Sequence, residues 1–145
     1  MRGAGVDLAL WDPVGDHALR FQLNSAMTKR RAAYLRGDAR IPTELSAGVV
    51  AAGRRKQARV YSLSGGGAFL ETTRPSMAGA NLTIEIPFPA GAVRVISQVL
   101  YTNVPGNLAN SSLPTGMAVR FSDDDYRSCA EIRRNVSSIS ARYLV

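Results

Sequence analysis

A chain of 145 residues with 46% hydrophobic composition is long enough to fold as one domain around its own core. Its single cysteine, Cys129, excludes an internal disulfide, and with the single histidine, His17, it cannot assemble a zinc ligand set. The formal net charge is +7, and all 18 basic residues except Lys29 and Lys56 are arginine. The arginine fork matches phosphate and stacks on flat rings, so phosphate-bearing or aromatic anionic partners are expected.

Residues 1–11 carry no strong pattern. Asp12 and Pro13 resemble a helix cap followed by proline in the first turn, and a helical segment is expected from there to about Leu35. Gly37 ends that pattern. Pro42 disfavours helix at Ile41 and opens an extended run over 43–52. Residues 53–56 read as a basic turn. Strands are expected over 57–63 and 68–72, on either side of a serine- and glycine-rich turn at 64–67. Such a turn can aim several backbone N–H groups in one direction, an arrangement that suits anions.

Residues 81–87 alternate apolar and polar with period two, and 93–101 form a second, longer run of the same kind. Residues 103–115, rich in Asn, Pro, Ser and Gly, read as a surface loop. A last strand covers 116–121. Ser122 is expected to cap a helix whose first turn is Asp123, Asp124 and Asp125. Its apolar stripe is Cys129, Ile132, Val136, Ile139 and Tyr143. Six short antiparallel strands and one amphipathic helix point to a small barrel or open sandwich with the helix laid on it. The division expected is a partly helical extension over 1–35 and a barrel with its helix over 36–145.

Catalytic patterns are missing: no Ser/His/Asp or Cys/His arrangement and no paired carboxylates are discernible, so an enzyme is not expected. The acidic triplet suits a helix start better than a metal. Cys129 falls on the apolar stripe as a small core residue. No apolar run approaches membrane-spanning length, and the N-terminus lacks a secretory leader, so a cytoplasmic protein is expected. The strands are poorer in aromatic residues than those of single-strand-binding barrels, which makes nucleic acid a poor fit.

Two arginine pairs occur at four-residue spacing, Arg36 with Arg40 and Arg55 with Arg59. Only the first lies in an irregular junction upstream of the Ser/Gly turn. Arg36, Arg40, Ile41 and Pro42, followed by a strand and then by Ser62, Ser64, Gly67, Ala68 and Phe69, resemble the PilZ domain signature. That signature is RxxxR followed by (D/N)xSxxG. The alternating strand ending at Pro87, and Gly116 to Phe121 with a terminal helix, continue the likeness over about residues 30–141.

The resemblance implies a six-stranded antiparallel barrel that binds cyclic di-GMP. Arg36 and Arg40 would hold phosphate and stack on guanine, and Ser62, Ser64 and Gly67 would meet the other face of the ligand. No cofactor is implied beyond that ligand. A protein partner would read the change at the Arg36–Arg40 junction. A homodimer is conceivable through the N-terminal helix or the stripe of the C-terminal one. The sequence departs from the signature at Ser62, where the family carries Asp or Asn; a neutral hydroxyl offers a guanine edge less than a carboxylate does. That departure leaves a second reading open, a PilZ-like barrel that serves only as a protein-interaction module.

Overall fold

The computed structural model describes residues 40–108 and 112–140. The helix expected within 1–35, together with Arg36 and Tyr143, lies outside the described residues. The strands are β1 (Ile41–Pro42), β2 (Ser46–Ala51), β3 (Arg54–Leu63), β4 (Gly67–Glu71), β5 (Asn81–Phe88), β6 (Gly91–Asn103) and β7 (Gly116–Phe121), followed by helix α1 (Tyr126–Ser140). Six of them close a ring in the order β3-β2-β5-β6-β7-β4, with β4 returning to β3. Every pairing is antiparallel. The two-residue β1 adds to the end of β3. The fold is therefore the expected six-stranded barrel with a C-terminal helix.

The period-two patterns turn alternate residues inward. Leu82, Ile84, Ile86 and Phe88 of β5 meet Val93, Val95 and Val99 of β6 in the barrel interior. Each such side chain removed from water contributes roughly 1.5–3 kcal/mol. The helical stripe closes the core: Cys129, Ile132 and Val136 are buried in it and Ile139 packs at its margin. The helix rests on β6 and β1. Among the described residues the stripe is thus packed against its own barrel.

Three boundaries differ from expectation. The basic turn is shorter than 53–56, because Ala52 and Gly53, with φ of 49° and 74°, suffice to reverse the chain. Two successive positive φ values make the tight hairpin turn whose twist matches the strands, so Arg54, Arg55 and Lys56 belong to β3. The strand expected over 43–52 begins only at Ser46, and the two-residue β1 precedes it. Thr43 turns its hydroxyl inward to donate to the Val60 carbonyl at 2.5 Å and accepts the Leu45 N–H at 3.4 Å. The last helix begins at Tyr126, after the acidic triplet. Ser122 closes a turn by accepting the Asp125 N–H at 3.1 Å, and the Asp125 carbonyl accepts the Cys129 N–H at 3.0 Å. The Asp125 carboxylate is engaged by the Ile96 backbone N–H at 3.1 Å.

Candidate functional site

The site begins with an irregularity in β3. Val60 and Leu63 are both buried in the barrel, although three residues apart. An odd spacing between two inward residues requires an extra residue in the strand. The register of β3 against β4 slips between Val60 and Ser62, so Tyr61 and Ser62 both turn to the outer face. Thr43 helps hold this bulge: its N–H donates to the Tyr61 carbonyl at 3.3 Å while its hydroxyl takes the carbonyl of Val60.

The outer face here is itself packed. Tyr61, Phe69 and Ala118 form a second small apolar cluster, with Leu113 against it. The two rings meet edge to face, 6.0 Å apart at 77°, a favoured aromatic arrangement. Leu113 comes from the long loop after β6. That loop is held at its base by Asn103, fully buried, whose side-chain amide donates to the carbonyls of Leu113 and Pro114, each at 3.0 Å. Residues 109–111 of the expected loop lie outside the described residues.

Beside this cluster the two sequence motifs meet. Pro42 pairs with Ser62 across β1 and β3, which brings Arg40, two residues before Pro42, over the bulge. Arg40 Nη1 donates to Ser62 Oγ at 3.1 Å. Ser62 is 2% exposed, and because a guanidinium has only donors, the Ser62 hydroxyl accepts in this bond. Arg36 lies outside the described residues.

The Ser/Gly turn is closed on itself. The Ser64 hydroxyl donates to the Gly67 carbonyl and accepts the Gly67 N–H, both at 3.2 Å, and the Ser64 N–H reaches the same carbonyl at 2.9 Å. The Gly66 carbonyl accepts the Phe121 N–H at 2.9 Å, tying the turn to β7. The N–H of Gly67, one of those expected to face an anion, is therefore used inside the turn. Gly67 has a second role: a Cβ there would drive into the backbone carbonyl of Val119 on β7. Only glycine lets β4 and β7 approach this closely.

The other arginine pair is separated by its partners. Arg55 reaches Glu85 at 3.4 Å, crossing Gly48 on the way, and Arg59 faces Glu44 at 3.8 Å. Arg40 instead addresses a neutral hydroxyl in the second motif. Of the residues named from the sequence, Arg40 contacts Ser62 and Ser64 closes the turn with Gly67, while Arg36 is outside the described residues. Sequence reasoning missed Tyr61, Thr43, Asn103 and Leu113. The odd interval between Val60 and Leu63 was the signal that could have exposed the bulge and Tyr61.

Cys129 has no place in this site. Burial pushes its thiol above the ordinary range, Asp125 and Asp123 reinforce the shift, and Arg133 opposes it. The thiol sits 3.5 Å from the Ser122 carbonyl. A shielded neutral thiol is a packing group.

A family model described as PilZ domain matches residues 30–138. Among solved structures, the PilZ domain of YcgR from Escherichia coli, with c-di-GMP, superposes with a TM-score of 0.55 at 21% identity. The match covers 73% of this chain and 92% of that one. The PilZ domain of CeSA from a cellulose-synthesizing bacterium gives 0.55 at 15% identity, over 70% of this chain and 98% of that one. The Bacillus subtilis inhibitor of motility, MotI/DgrA, gives 0.58 at 14% identity, over 73% of this chain and 51% of that one. At these identities the structural matches establish the shared fold. No match was found among curated proteins.

Proposed function

The chain belongs to the PilZ domain family, and on that premise we propose that it is a non-enzymatic cyclic di-GMP receptor acting in the cytoplasm. The observation that carries the proposal is the Arg40–Ser62 hydrogen bond at 3.1 Å, which joins the two halves of the family motif across 22 residues of sequence. A ligand with two phosphates and two flat bases suits guanidinium forks on one side and a small-residue turn on the other. Arg36 and Arg40 are the phosphate and guanine contacts in this reading, and Ser62, Ser64 and Gly67 form the opposing surface. Binding draws the segment around Arg36 and Arg40 onto the barrel and changes the surface offered to a protein partner. Among the described residues no helix is long and apolar enough to cross a membrane.

Calorimetric titration with cyclic di-GMP tests this. Saturable heat with shifted amide signals around Ser62 is the expected result. Silence in both at high micromolar ligand overturns it.

One observation favours a second reading. Ser62 replaces the family's acid or amide and is 2% exposed, which suits a barrel that has lost the ligand and serves as an interaction module. Under that reading the wild-type chain is silent in the titration and Ser62→Asp restores binding.

A further inference from the structure

Two successive carbonyls of β3 turn to the same edge of the strand. In a regular strand they would point to opposite edges. The Val60 carbonyl accepts the Thr43 hydroxyl at 2.5 Å, and the Tyr61 carbonyl accepts the Thr43 N–H at 3.3 Å. One residue thus supplies both donors, the second of them from its side chain. The hydroxyl also stands where a ladder bond is missing. Val60 donates its N–H to the Leu45 carbonyl at 2.8 Å, and in a hydrogen-bonded antiparallel pair the Leu45 N–H would return to the Val60 carbonyl. Instead, the Leu45 N–H donates to Thr43 Oγ1 at 3.4 Å, and the hydroxyl passes the contact on to Val60.

This relay coincides with a slip in register on both edges of β3. Three residues separate Pro42 from Ser46, but only two separate their partners Ser62 and Arg59. On the other edge Tyr61 lies between Val60 and Ser62, while their partners Leu70 and Phe69 are adjacent. Side chains alternate with a period of two, so such a slip decides which face Ser62 takes. Thr43 is 8% exposed, and a Val60 carbonyl deprived of the hydroxyl has to find another protein donor.

We propose that Thr43 is a positioning residue for the ligand site: its hydroxyl holds the β3 bulge in the form that sets Ser62 against Arg40. Without the hydroxyl the Val60 carbonyl takes the Leu45 N–H directly, the strand regularises, and Ser62 Oγ leaves its place 3.1 Å from Arg40 Nη1. Thr43 acts through Ser62 and not on the ligand. Its effect on affinity rests on the receptor reading, whereas its effect on the Arg40–Ser62 contact does not.

The test compares Thr43→Val, which keeps the shape and removes the hydroxyl, with Thr43→Ser, which keeps the hydroxyl, both in the full chain. In NMR spectra without ligand, the Ser62 amide and Arg40 guanidinium signals shift in Thr43→Val and return to their wild-type places in Thr43→Ser. In calorimetric titration with cyclic di-GMP, Thr43→Val weakens affinity about tenfold and Thr43→Ser restores it. Lost stability alone does not produce this pattern: Ile132→Val, a truncation in the core under α1, lowers the urea midpoint and leaves affinity unchanged. In a Ser62→Ala background Thr43→Val has no further effect on affinity, because both act at one contact. In the wild type the Thr43 hydroxyl proton exchanges slowly enough to be observed, a measurement that needs no variant to fold. The proposal is overturned by a fast-exchanging hydroxyl, by unshifted Ser62 and Arg40 signals in Thr43→Val, or by failure of Thr43→Ser to restore them. A tenfold loss that persists in the Ser62→Ala background overturns it as well. A wild type silent toward cyclic di-GMP overturns the receptor reading, and the ligand-free signals then decide the positioning by themselves.

Discussion

Arg40 and Ser62, separated by 22 residues of sequence, are joined by a hydrogen bond of 3.1 Å from Nη1 to Oγ. The contact depends on two pieces of backbone. The β1–β3 pairing sets Pro42 against Ser62, and the bulge at Tyr61 turns Ser62 outward to meet the guanidinium. If the chain binds cyclic di-GMP, Arg40→Ala removes charge-assisted bonds worth roughly 1.5–3 kcal/mol each, so calorimetric affinity falls at least about tenfold. Arg59→Ala, whose side chain faces Glu44, leaves affinity unchanged.

Ser62→Asp restores the acid that the family motif carries at this position. Beside Arg40 the new carboxylate gains a charge-assisted partner and offers two acceptor oxygens to a guanine edge. The expected gain in affinity is roughly ten- to a hundred-fold, measured by the same titration. An unchanged or weaker affinity would show that Ser62 does not face the ligand.

Glycine substitutions separate rigid from yielding neighbours. At Gly67 an added Cβ meets the Val119 backbone carbonyl, which cannot move without breaking the β4–β7 ladder. Gly67→Ala is expected to cost about 1–3 kcal/mol in urea unfolding. At Gly48 the added Cβ meets only the end of the Arg55 side chain, 2.5 Å from Nη2. That chain can swing away with the loss of an exposed ion pair, so Gly48→Ala should cost about 0.5 kcal/mol or less.

Asn103→Leu leaves the partly buried Leu113 and Pro114 carbonyls without their shared donor. A loss of roughly 1–3 kcal/mol in unfolding free energy is expected. Because Leu113 covers Tyr61 and Phe69, near-ultraviolet circular dichroism should also change.

Cys129 gives a pH dependence. Burial, the first cause, raises the folded thiol above its ordinary value of 9.0. The unfolded chain then loses its proton first as pH rises, so this contribution is complete below about that value and is lost through the folded pKa above it. Unfolding measured in alkaline buffers should show a stability decline in the wild type that is shallower in Cys129→Ala.

The sequence by itself determined the barrel and its helix, because these rest on local rules, and it proposed the site residues through a motif. Period-two alternation marks β5 and β6, the three- and four-residue stripe marks α1, and the motif places Arg40, Ser62, Ser64 and Gly67 in order. Tertiary structure decided what those residues do to one another. The bulge that turns Ser62 outward depends on which strands flank β3. The inward use of the Gly67 N–H depends on the closed Ser64 turn, and the need for glycine there comes from β7, some fifty residues away in the chain. Pairing and approach distance are properties of the closed ring, and no single segment encodes them.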